Sequence, residues 1–229
     1  MSMASAQSRS LQERIICLPK LAHPKNAASR VGEFLKIANH ANEYLNLPQS
    51  ALELLNALAE HSPYLWRLCC ADPARLATLF GAAPEASLEV LLQSMSTFWQ
   101  EAQTDAEMMR LLRRAKHRSA LLIALADLGG VWNVDVVTSA LSAFADAAVS
   151  GALNFSLKRA ALLGQLGLDL ANPSANCGLV VLALGKHGAC ELNYSSDVDL
   201  VVFYDPLSLA AVKEPTVTYV KIAQSLARL

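Results

Sequence analysis

Two aspartates separated by one residue are the part of the sequence best suited to chemistry. Asp197 and Asp199 stand at the head of an apolar run that begins at Leu200, and alternate residues of a strand project to the same face of a sheet. Two such carboxylates repel each other unless a cation lies between them, and hard oxygen ligands suit Mg²⁺. The pair is therefore a candidate metal site for an in-line displacement at phosphorus. An isolated Asp-x-Asp pair is more often a solvated strand edge, so this interpretation depends on what precedes it.

A glycine-containing turn lies upstream of the aspartates and is suited to binding a phosphate. Gly185 and Gly188 allow the backbone to turn tightly and to approach an anion closely. Main-chain amides of that turn, with a hydroxyl from Ser195 or Ser196, would surround the phosphate oxygens. The order of apolar strand, glycine turn, serine and paired aspartates supports a metal site more strongly than the Asp-x-Asp motif does alone.

A P-loop is the natural alternative for Gly185-Lys186, and the sequence argues against it at two positions. Val180 stands where the first glycine of that motif belongs, and His187 stands where a serine or threonine must follow the lysine. His187 is accordingly interpreted as a residue of the turn rather than as a catalytic base.

The elements that position these residues belong to two classes. Apolar residues recur at helical spacing from about residue 11 to residue 165, and Asp72 before Pro73 has the form of an N-cap followed by a first-turn proline. Beyond a turn cluster at residues 172–176, an apolar run predicts a strand buried on both faces. The predicted segments are one long or two abutting helices over 94–125, ended by Gly129-Gly130, helices over 138–149 and 155–166, strands over 179–184 and 198–204, and a helix from Pro215 to Leu229.

Composition limits the classes of function. The 229 residues are 53% hydrophobic and 17% charged, which excludes disorder over most of the length. The formal net charge is −1, so bulk electrostatics do not attract a nucleic acid. A basic cluster at Arg110, Arg113, Arg114, Lys116 and Arg118 is interpreted as a solvated helix face rather than as a binding patch. The longest uninterrupted apolar runs, over residues 120–126 and 179–184, are far shorter than the roughly 20 residues of a spanning helix, so no membrane segment is predicted.

The cysteines indicate the redox compartment. Their number is odd and they form no Cys-x-x-Cys pair, which favours free, mostly buried thiols in a reducing compartment. Their spacings with the five histidines assemble no zinc site. Ile15 to Leu18 is too short for the apolar core of a signal peptide. Together these features predict a cytoplasmic protein.

The segment from Gly185 to Leu200 resembles a long family signature. The signature G-K-x-G-G-x-E-L-N-x-S-S-D-x-D-L of the glutamine synthetase adenylyltransferase family is matched at Gly185-Lys186, Gly188, Glu191-Leu192-Asn193, Ser195-Ser196-Asp197 and Asp199-Leu200. The upstream stretch is also similar to the helical region of that family, at Lys116-His117-Arg118, from Leu121 to Gly129 and from Phe144 to Ala148. The arrangement of strand, glycine turn, short helix and Asp-x-Asp strand resembles the nucleotidyltransferase superfamily that includes DNA polymerase β.

The resemblance implies an α+β fold, in which a mostly α-helical N-terminal region precedes the start of a polymerase β-like mixed sheet. The implied domains are a mobile tail over residues 1–10, a helical region over residues 11–170 and an incomplete nucleotidyltransferase core over residues 171–229. Because the last predicted helix reaches Leu229 without a stop signal, the chain is expected to be shorter than the natural protein.

The resemblance also implies a multifunctional enzyme with two nucleotidyltransferase units, one that adds AMP to a tyrosine of glutamine synthetase and one that removes it. The helical segment before the motif and the Glu-Leu-Asn form resemble the first unit, which removes AMP by phosphorolysis and yields ADP. Asp197 and Asp199 would then be catalytic and hold Mg²⁺. Nucleotide or phosphate would bind at Gly185, Lys186, Gly188, Ser195 and Ser196.

The same resemblance implies the substrates and the partners. ATP, ADP and phosphate would be substrates or products. Glutamine synthetase and a PII-type signal protein would be the protein partners, in the regulation of nitrogen metabolism. Neither nucleic acid nor a membrane is expected to bind.

Two features depart from the family pattern. Ala189 stands at the second glycine of the signature, and it fits if its backbone angles are ordinary. The superfamily uses a third carboxylate on a later strand, and after Asp199 only Asp205 and Glu214 remain, neither in a strand-like setting. The third ligand is therefore expected beyond Leu229, and the chain alone is expected to be nearly inactive.

Two other functions are compatible with parts of the sequence. The helical region could dock a protein partner while the truncated half packs against it without catalysis. The site could also belong to a nucleotidyltransferase that acts on a small molecule or an RNA end. The matched helical region argues against a different substrate, and the lack of a basic surplus argues against RNA.

Overall fold

The fold is mostly helical, with one small sheet near its end. The computed structural model describes residues 9–40, 45–205 and 215–229, so residues 1–8 of the predicted tail lie outside the described residues. The helices are α1 Leu11–Arg14, α2 Pro24–His40, α3 Gln49–His61, α4 Pro63–Ala71, α5 Pro73–Gly81, α6 Pro84–Met95, α7 Phe98–Glu101, α8 Asp105–Leu128, α9 Val134–Leu162, α10 Gly185–Gly188 and α11 Pro215–Arg228. The strands are β1 Leu179–Ala183 and β2 Leu200–Tyr204. This architecture confirms the α+β class.

Side-chain caps and prolines fix where consecutive helices begin. The carboxylate of Asp72 accepts a hydrogen bond from the Arg75 amide at 2.8 Å, and Pro73 occupies the first turn of α5. Ser62 caps α4 in the same way, where Pro63 follows it. The cap satisfies an amide that the helix leaves unpaired, and proline needs no donor there. The N-cap predicted at Asp72 is confirmed.

The region predicted as one or two abutting helices over residues 94–125 is divided differently. It contains the end of α6, the short helix α7 and most of α8. The break before α8 has a local cause, because Glu107 accepts hydrogen bonds from the amides of Gln103 and Thr104 while the Thr104 hydroxyl accepts one from the Glu107 amide. This reciprocal capping starts a new helix where the apolar pattern continues. The predicted end at Gly129-Gly130 is confirmed.

A single helix replaces the two that were predicted over residues 138–149 and 155–166. Helix α9 runs without a break through Gly151, which is buried. A Cβ at Gly151 would lie 3.4 Å from Met108 Cε, so close packing accounts for the glycine inside a helix. By length and composition α9 could cross a membrane, although core helices of soluble proteins meet the same criterion. The sequence prediction missed this helix as a candidate span because it counted only uninterrupted apolar residues.

The first of two compact units comprises residues 1–91 and 116–137. Its core includes leucines and an aromatic ring that are at most 1% exposed: Leu54, Leu55, Leu58, Leu76, Leu79 and Phe80. Near them Glu85 accepts hydrogen bonds from the Arg14 guanidinium at 2.7 and 2.9 Å and from the Trp132 indole at 2.8 Å. Burial alone would raise the pKa of Glu85, but these hydrogen bonds outweigh it and hold the pKa below its ordinary value.

The second unit comprises residues 92–115 and 138–229 and contains the sheet. β1 and β2 pair antiparallel, with Leu179 opposite Tyr204 and Ala183 opposite Leu200. One face of this sheet packs on α9 and α11, in a cluster formed by Leu157, Ala160, Leu166, Cys177, Leu179, Tyr219 and Ile222. Tyr219 is 1% exposed, and its hydroxyl donates a hydrogen bond to the Cys177 carbonyl at 2.8 Å.

The opposite face of the sheet is open, so the prediction that the first strand is buried on both faces is wrong. Val180 and Leu182 are 54% and 46% exposed, and Phe203 beside them is 56% exposed. Their apolar side chains gave the sequence pattern of a fully buried strand. Among the described residues, the core cluster lies on the other face alone, so alternation leaves these side chains in contact with solvent.

Candidate functional site

The fold brings the glycine turn and the second aspartate together at one end of the sheet. The Leu184 amide donates to the Asp199 carbonyl at 2.9 Å, which extends the ladder one step beyond the pair Ala183–Leu200. Gly185 has a φ of +57°, and a Cβ built on it would lie 3.3 Å from Asp199 Oδ2. Glycine is favoured at this φ, and its lack of a side chain gives the carboxylate room beside the turn.

The second glycine of the turn is required by a close backbone approach. A Cβ on Gly188 would lie 2.5 Å from the Ala183 carbonyl oxygen, far inside van der Waals contact. The next residue is less demanding, because Ala189 has φ −86° and ψ 0°. Alanine is unstrained at those angles, so its replacement of the signature glycine is tolerated. The left-handed conformation falls instead on Cys190, with a φ of +58°.

The two serines lie in a tight turn organised by Asn193. The Ser196 hydroxyl accepts from the Asn193 amide at 3.1 Å and donates to Asn193 Oδ1 at 2.9 Å. The same Oδ1 accepts from the Ser195 amide at 3.0 Å. The Ser196 hydroxyl therefore shapes the turn, and its hydrogen is already committed in this conformation. The Ser195 side chain is exposed.

Both aspartates are exposed and immediately precede β2, where the sequence placed them. Since Asp199 continues the ladder, alternation assigns its side chain to the same face as Val201 and Phe203, the open face of the sheet. Lys186 is also exposed, in the turn itself. The predicted carboxylates, glycines and lysine thus lie in one neighbourhood of the second unit.

The electrostatics of this neighbourhood suit a cation between a carboxylate and an anion. An anion held by the amides near Gly185 would lie close to the Asp199 carboxylate and be repelled by it. A hard divalent ion ligated by Asp199 and Asp197 would remove that repulsion. The donor set therefore fits part of a Mg²⁺ site. Within the described ranges, no group of three or more His, Cys, Asp or Glu side chains is placed to hold a metal ion.

Sequence reasoning missed the residues of α9 that hold the turn. His187 is 3% exposed, and its Nε2 lies 2.8 Å from Oδ1 of Asp146, 41 positions earlier in the chain. The Leu192 amide donates to the Ser142 hydroxyl at 3.4 Å, one helical turn before Asp146. The interpretation of His187 as a turn residue agrees with its place in α10. Asp146 belonged to the family-like stretch from Phe144 to Ala148, which was the one signal available for it.

A cavity of about 510 Å³ lies elsewhere in the second unit. It is lined by residues 174, 176–180 and 203–205, at the end of the sheet where Leu179 pairs with Tyr204. Neither the glycine turn nor the two aspartates border it. The candidate site is therefore an open surface at the opposite end of β1 rather than this cavity.

Comparison with known proteins identifies related sequences. The family model of glutamate-ammonia ligase adenylyltransferase matches residues 52–229. Proteins named bifunctional glutamine synthetase adenylyltransferase/adenylyl-removing enzyme are 43% identical in Bradyrhizobium sp. (strain BTAi1), over 98% of this chain and 24% of the relative, and 40% identical in Rhodopseudomonas palustris (strain CGA009), over 99% and 24%. A protein of the same name from Xanthobacter autotrophicus is 46% identical over 75% of this chain and 18% of the relative. No solved structure matches the chain. The chain spans about a quarter of the length of the first two relatives.

Proposed function

Because the chain belongs to the glutamate-ammonia ligase adenylyltransferase family, we propose that it is the N-terminal part of an enzyme whose first unit removes AMP from a tyrosine of glutamine synthetase. The observation that carries this proposal is the juxtaposition of Gly185 and Asp199, in which an anion-binding turn meets a metal-binding carboxylate. The removing direction is supported by the Glu191-Leu192-Asn193 form of the motif and by the helical region before it.

The reaction transfers an AMP group from tyrosine to phosphate. An oxygen of inorganic phosphate attacks the phosphorus of the tyrosine-bound AMP, and the bond between that phosphorus and the tyrosine oxygen breaks. The tyrosine oxygen takes up the proton that leaves the attacking phosphate, and ADP is formed. The open end of the sheet suits such a substrate, because a tyrosine on the surface of a second protein must reach the site.

The proposed site residues have two roles, which are to bind the metal ion and to bind the phosphate. Asp197 and Asp199 hold Mg²⁺, which when bound stabilises charge on the phosphoryl oxygens. Gly185 gives a phosphate room to approach the main-chain amides at the start of the turn, while the Gly188 amide closes the turn by donating to the Leu184 carbonyl at 3.1 Å. The exposed Lys186 ammonium offsets the charge of the phosphate. The Asn193 turn places Ser195 and Ser196 just before the aspartates. The exposed Ser195 hydroxyl would contact the nucleotide or phosphate, and Ser196 would do so only by giving up its hydrogen bond to Asn193.

The third carboxylate that the superfamily resemblance implies is not beside the two aspartates among the described residues. Asp205 follows the far end of β2, where its amide donates to the Gly178 carbonyl. Because β2 lies between them, Asp205 is six residue steps from Asp199, which is roughly 20 Å at about 3.3 Å per residue. Asp205 is therefore not a ligand of the same ion, and Glu214 lies outside the described residues. With one ligand missing, the 229-residue chain alone is nearly inactive.

The whole enzyme would be a cytoplasmic regulator of nitrogen metabolism, in which the second unit uses ATP to add AMP to glutamine synthetase. Glutamine synthetase is the protein substrate, and a PII-type signal protein is the regulatory partner. Within this chain, the net charge of −1 gives no general attraction for a nucleic acid, and α9 supplies contacts to the sheet and the turn.

Labelled phosphate tests this function directly. Full-length enzyme would be incubated with adenylylated glutamine synthetase, Mg²⁺ and ³²P-labelled phosphate. Phosphorolysis places the label in ADP, because the attacking phosphate becomes the second phosphate of the product. Unlabelled AMP as the product would indicate hydrolysis, and no release of nucleotide would contradict removal altogether. Glutamine synthetase without AMP is the control, and it should yield no labelled ADP.

A further inference from the structure

Helix α9 holds the phosphate-binding turn at two points. Asp146 bonds His187 at 2.8 Å, and Ser142 accepts from the Leu192 amide at 3.4 Å. Because residues four apart in a helix lie on the same face, one face of α9 holds both ends of the segment from residue 187 to residue 192. That segment contains Gly188, whose backbone approaches β1 most closely.

The bond to Asp146 is the hydrogen bond that orients the buried His187 ring. The His187 side chain is 2% exposed, whereas that of Asp146 is 66% exposed. Among the described residues, Nδ1 of His187 is buried and has no hydrogen-bond partner. A neutral ring that donates to the carboxylate carries its hydrogen on Nε2, so this bond fixes both the orientation and the tautomer. Helix α10 has only four residues and no side-chain cap, so it has little stability of its own.

The orientation of His187 is coupled to the catalytic carboxylate through the short turn. His187 lies between two glycines with close neighbours. A Cβ built on Gly185 would lie 3.3 Å from Asp199 Oδ2, and one built on Gly188 would lie 2.5 Å from the Ala183 carbonyl oxygen. A rotation of α10 cannot move His187 without moving Gly185 relative to Asp199. A turn that is free to shift loses the fixed placement of the amides that would bind phosphate, so ordering it on binding lowers the affinity.

We propose that Asp146, acting through His187, is a positioning residue that holds the phosphate-binding turn against Asp199. The proposal rests on the nucleotidyl-transfer function proposed above, and it gives α9 a role in catalysis that the family motif does not include. Asp146 does not touch the substrate in this scheme. Its effect is on how tightly phosphate and nucleotide bind to the turn.

The test compares two substitutions of Asp146 in the full-length enzyme. Asp146→Ala removes the hydrogen-bond acceptor, so the KM for phosphate should rise roughly tenfold, while kcat changes by less than about threefold. Asp146→Asn keeps an oxygen at the same position and should restore most of the affinity, because it still accepts from Nε2. A KM does not depend on the fraction of active enzyme, so partial unfolding would not imitate this result.

A matched control uses another polar residue of α9. Asn154→Ala removes a side chain that donates to the Ser150 carbonyl within the helix, two turns from Asp146, and should leave the KM unchanged. Hydrogen exchange of the amides in residues 185–191 and calorimetric binding of Mg²⁺-ADP, the product of the first unit, provide readouts that need no turnover. Asp146→Ala should speed the exchange and weaken the binding, and the control should do neither.

The outcomes separate this proposal from the proposed function. If the wild-type enzyme releases no ADP, the removing function is wrong, and the exchange and binding measurements still decide the role of Asp146. If Asp146→Ala matches the wild type in KM, exchange and nucleotide affinity, Asp146 does not position the turn. If Asp146→Asn is as impaired as Asp146→Ala, the charge of Asp146 rather than its hydrogen bond is what matters, and the positioning proposal is also overturned.

Discussion

The helical core of the first unit and the sheet of the second unit use similar apolar residues with opposite results. Phe80 and its leucine neighbours in the first unit are sealed from solvent, while Phe203 and Val180 on the sheet are more than half exposed. A helix has one apolar stripe, which other helices can cover. A sheet has two faces, and burying both of them requires a layer on each side. In the described residues the sheet has one layer, so its second face stays open beside the aspartates.

This difference in burial indicates which part of the chain stabilises the fold and which part carries the candidate site. The first unit has the buried leucines and the Arg14–Glu85–Trp132 hydrogen bonds of a self-supporting core. The candidate site lies around the four-residue helix α10 and the exposed start of β2, and it is held by backbone contacts and by α9. Open, weakly packed segments are where binding residues are commonly placed on a rigid scaffold.

Two phenylalanine truncations test the contrast between the sealed core of the first unit and the open face of the sheet, and they have the largest expected effect. In the 229-residue chain, Phe80→Ala should lower the free energy of unfolding by about 3–5 kcal/mol, because it leaves a cavity in a fully buried core. Phe203→Ala should cost less than about 1 kcal/mol, because the ring is already largely in water. Chemical denaturation of both variants measures the two losses. Equal losses would mean that the sheet face is covered, and the comparison would fail.

Two glycine substitutions, one in each unit, test the backbone and should change the free energy of unfolding by less. Gly188→Ala should destabilise by roughly 1–3 kcal/mol, since the added Cβ meets the Ala183 carbonyl at 2.5 Å and the backbone must shift. Gly32→Ala, in α2 with open space around the site, should stabilise by up to about 1 kcal/mol through helix propensity. Thermal unfolding measures both changes. A neutral Gly188→Ala would show that the turn does not need the close approach to β1.

The sequence predicted what local signals determine and failed where distant contacts decide. Asp72 with Pro73 and the Gly129-Gly130 stop act within one turn of helix, so both boundaries were predicted correctly. The break before Asp105 is an exception, because the reciprocal cap of Thr104 and Glu107 is a local signal that the apolar pattern obscured. The continuity through Gly151 depends on packing against Met108, which an apolar pattern does not record. The open face of β1 was missed for the same reason, since composition does not reveal how many layers cover a strand.

The site follows the same rule. The proximity of Gly185 and Asp199 comes from the pairing of β1 with β2 across a long connection over residues 184–199, and the sequence predicted the two strands but not their pairing. The hydrogen bond between Asp146 and His187 spans 41 positions and was not predictable from either residue. The tolerance of Ala189 was stated as a condition on its backbone angles, and those angles are ordinary.

The central claim, that Asp197 and Asp199 form the metal site of the AMP-removing unit, is tested most directly by replacing each with asparagine in the full-length enzyme. Amides are poor Mg²⁺ ligands and carry no charge, so both variants should lose AMP removal. They should keep AMP addition, which the proposed second unit would perform, and their melting temperatures should not fall, because the substitutions relieve carboxylate repulsion. Both half-reactions are assayed on purified wild-type and variant enzymes. Loss of addition with removal intact would contradict the account, because it would place these aspartates in the adenylylating unit.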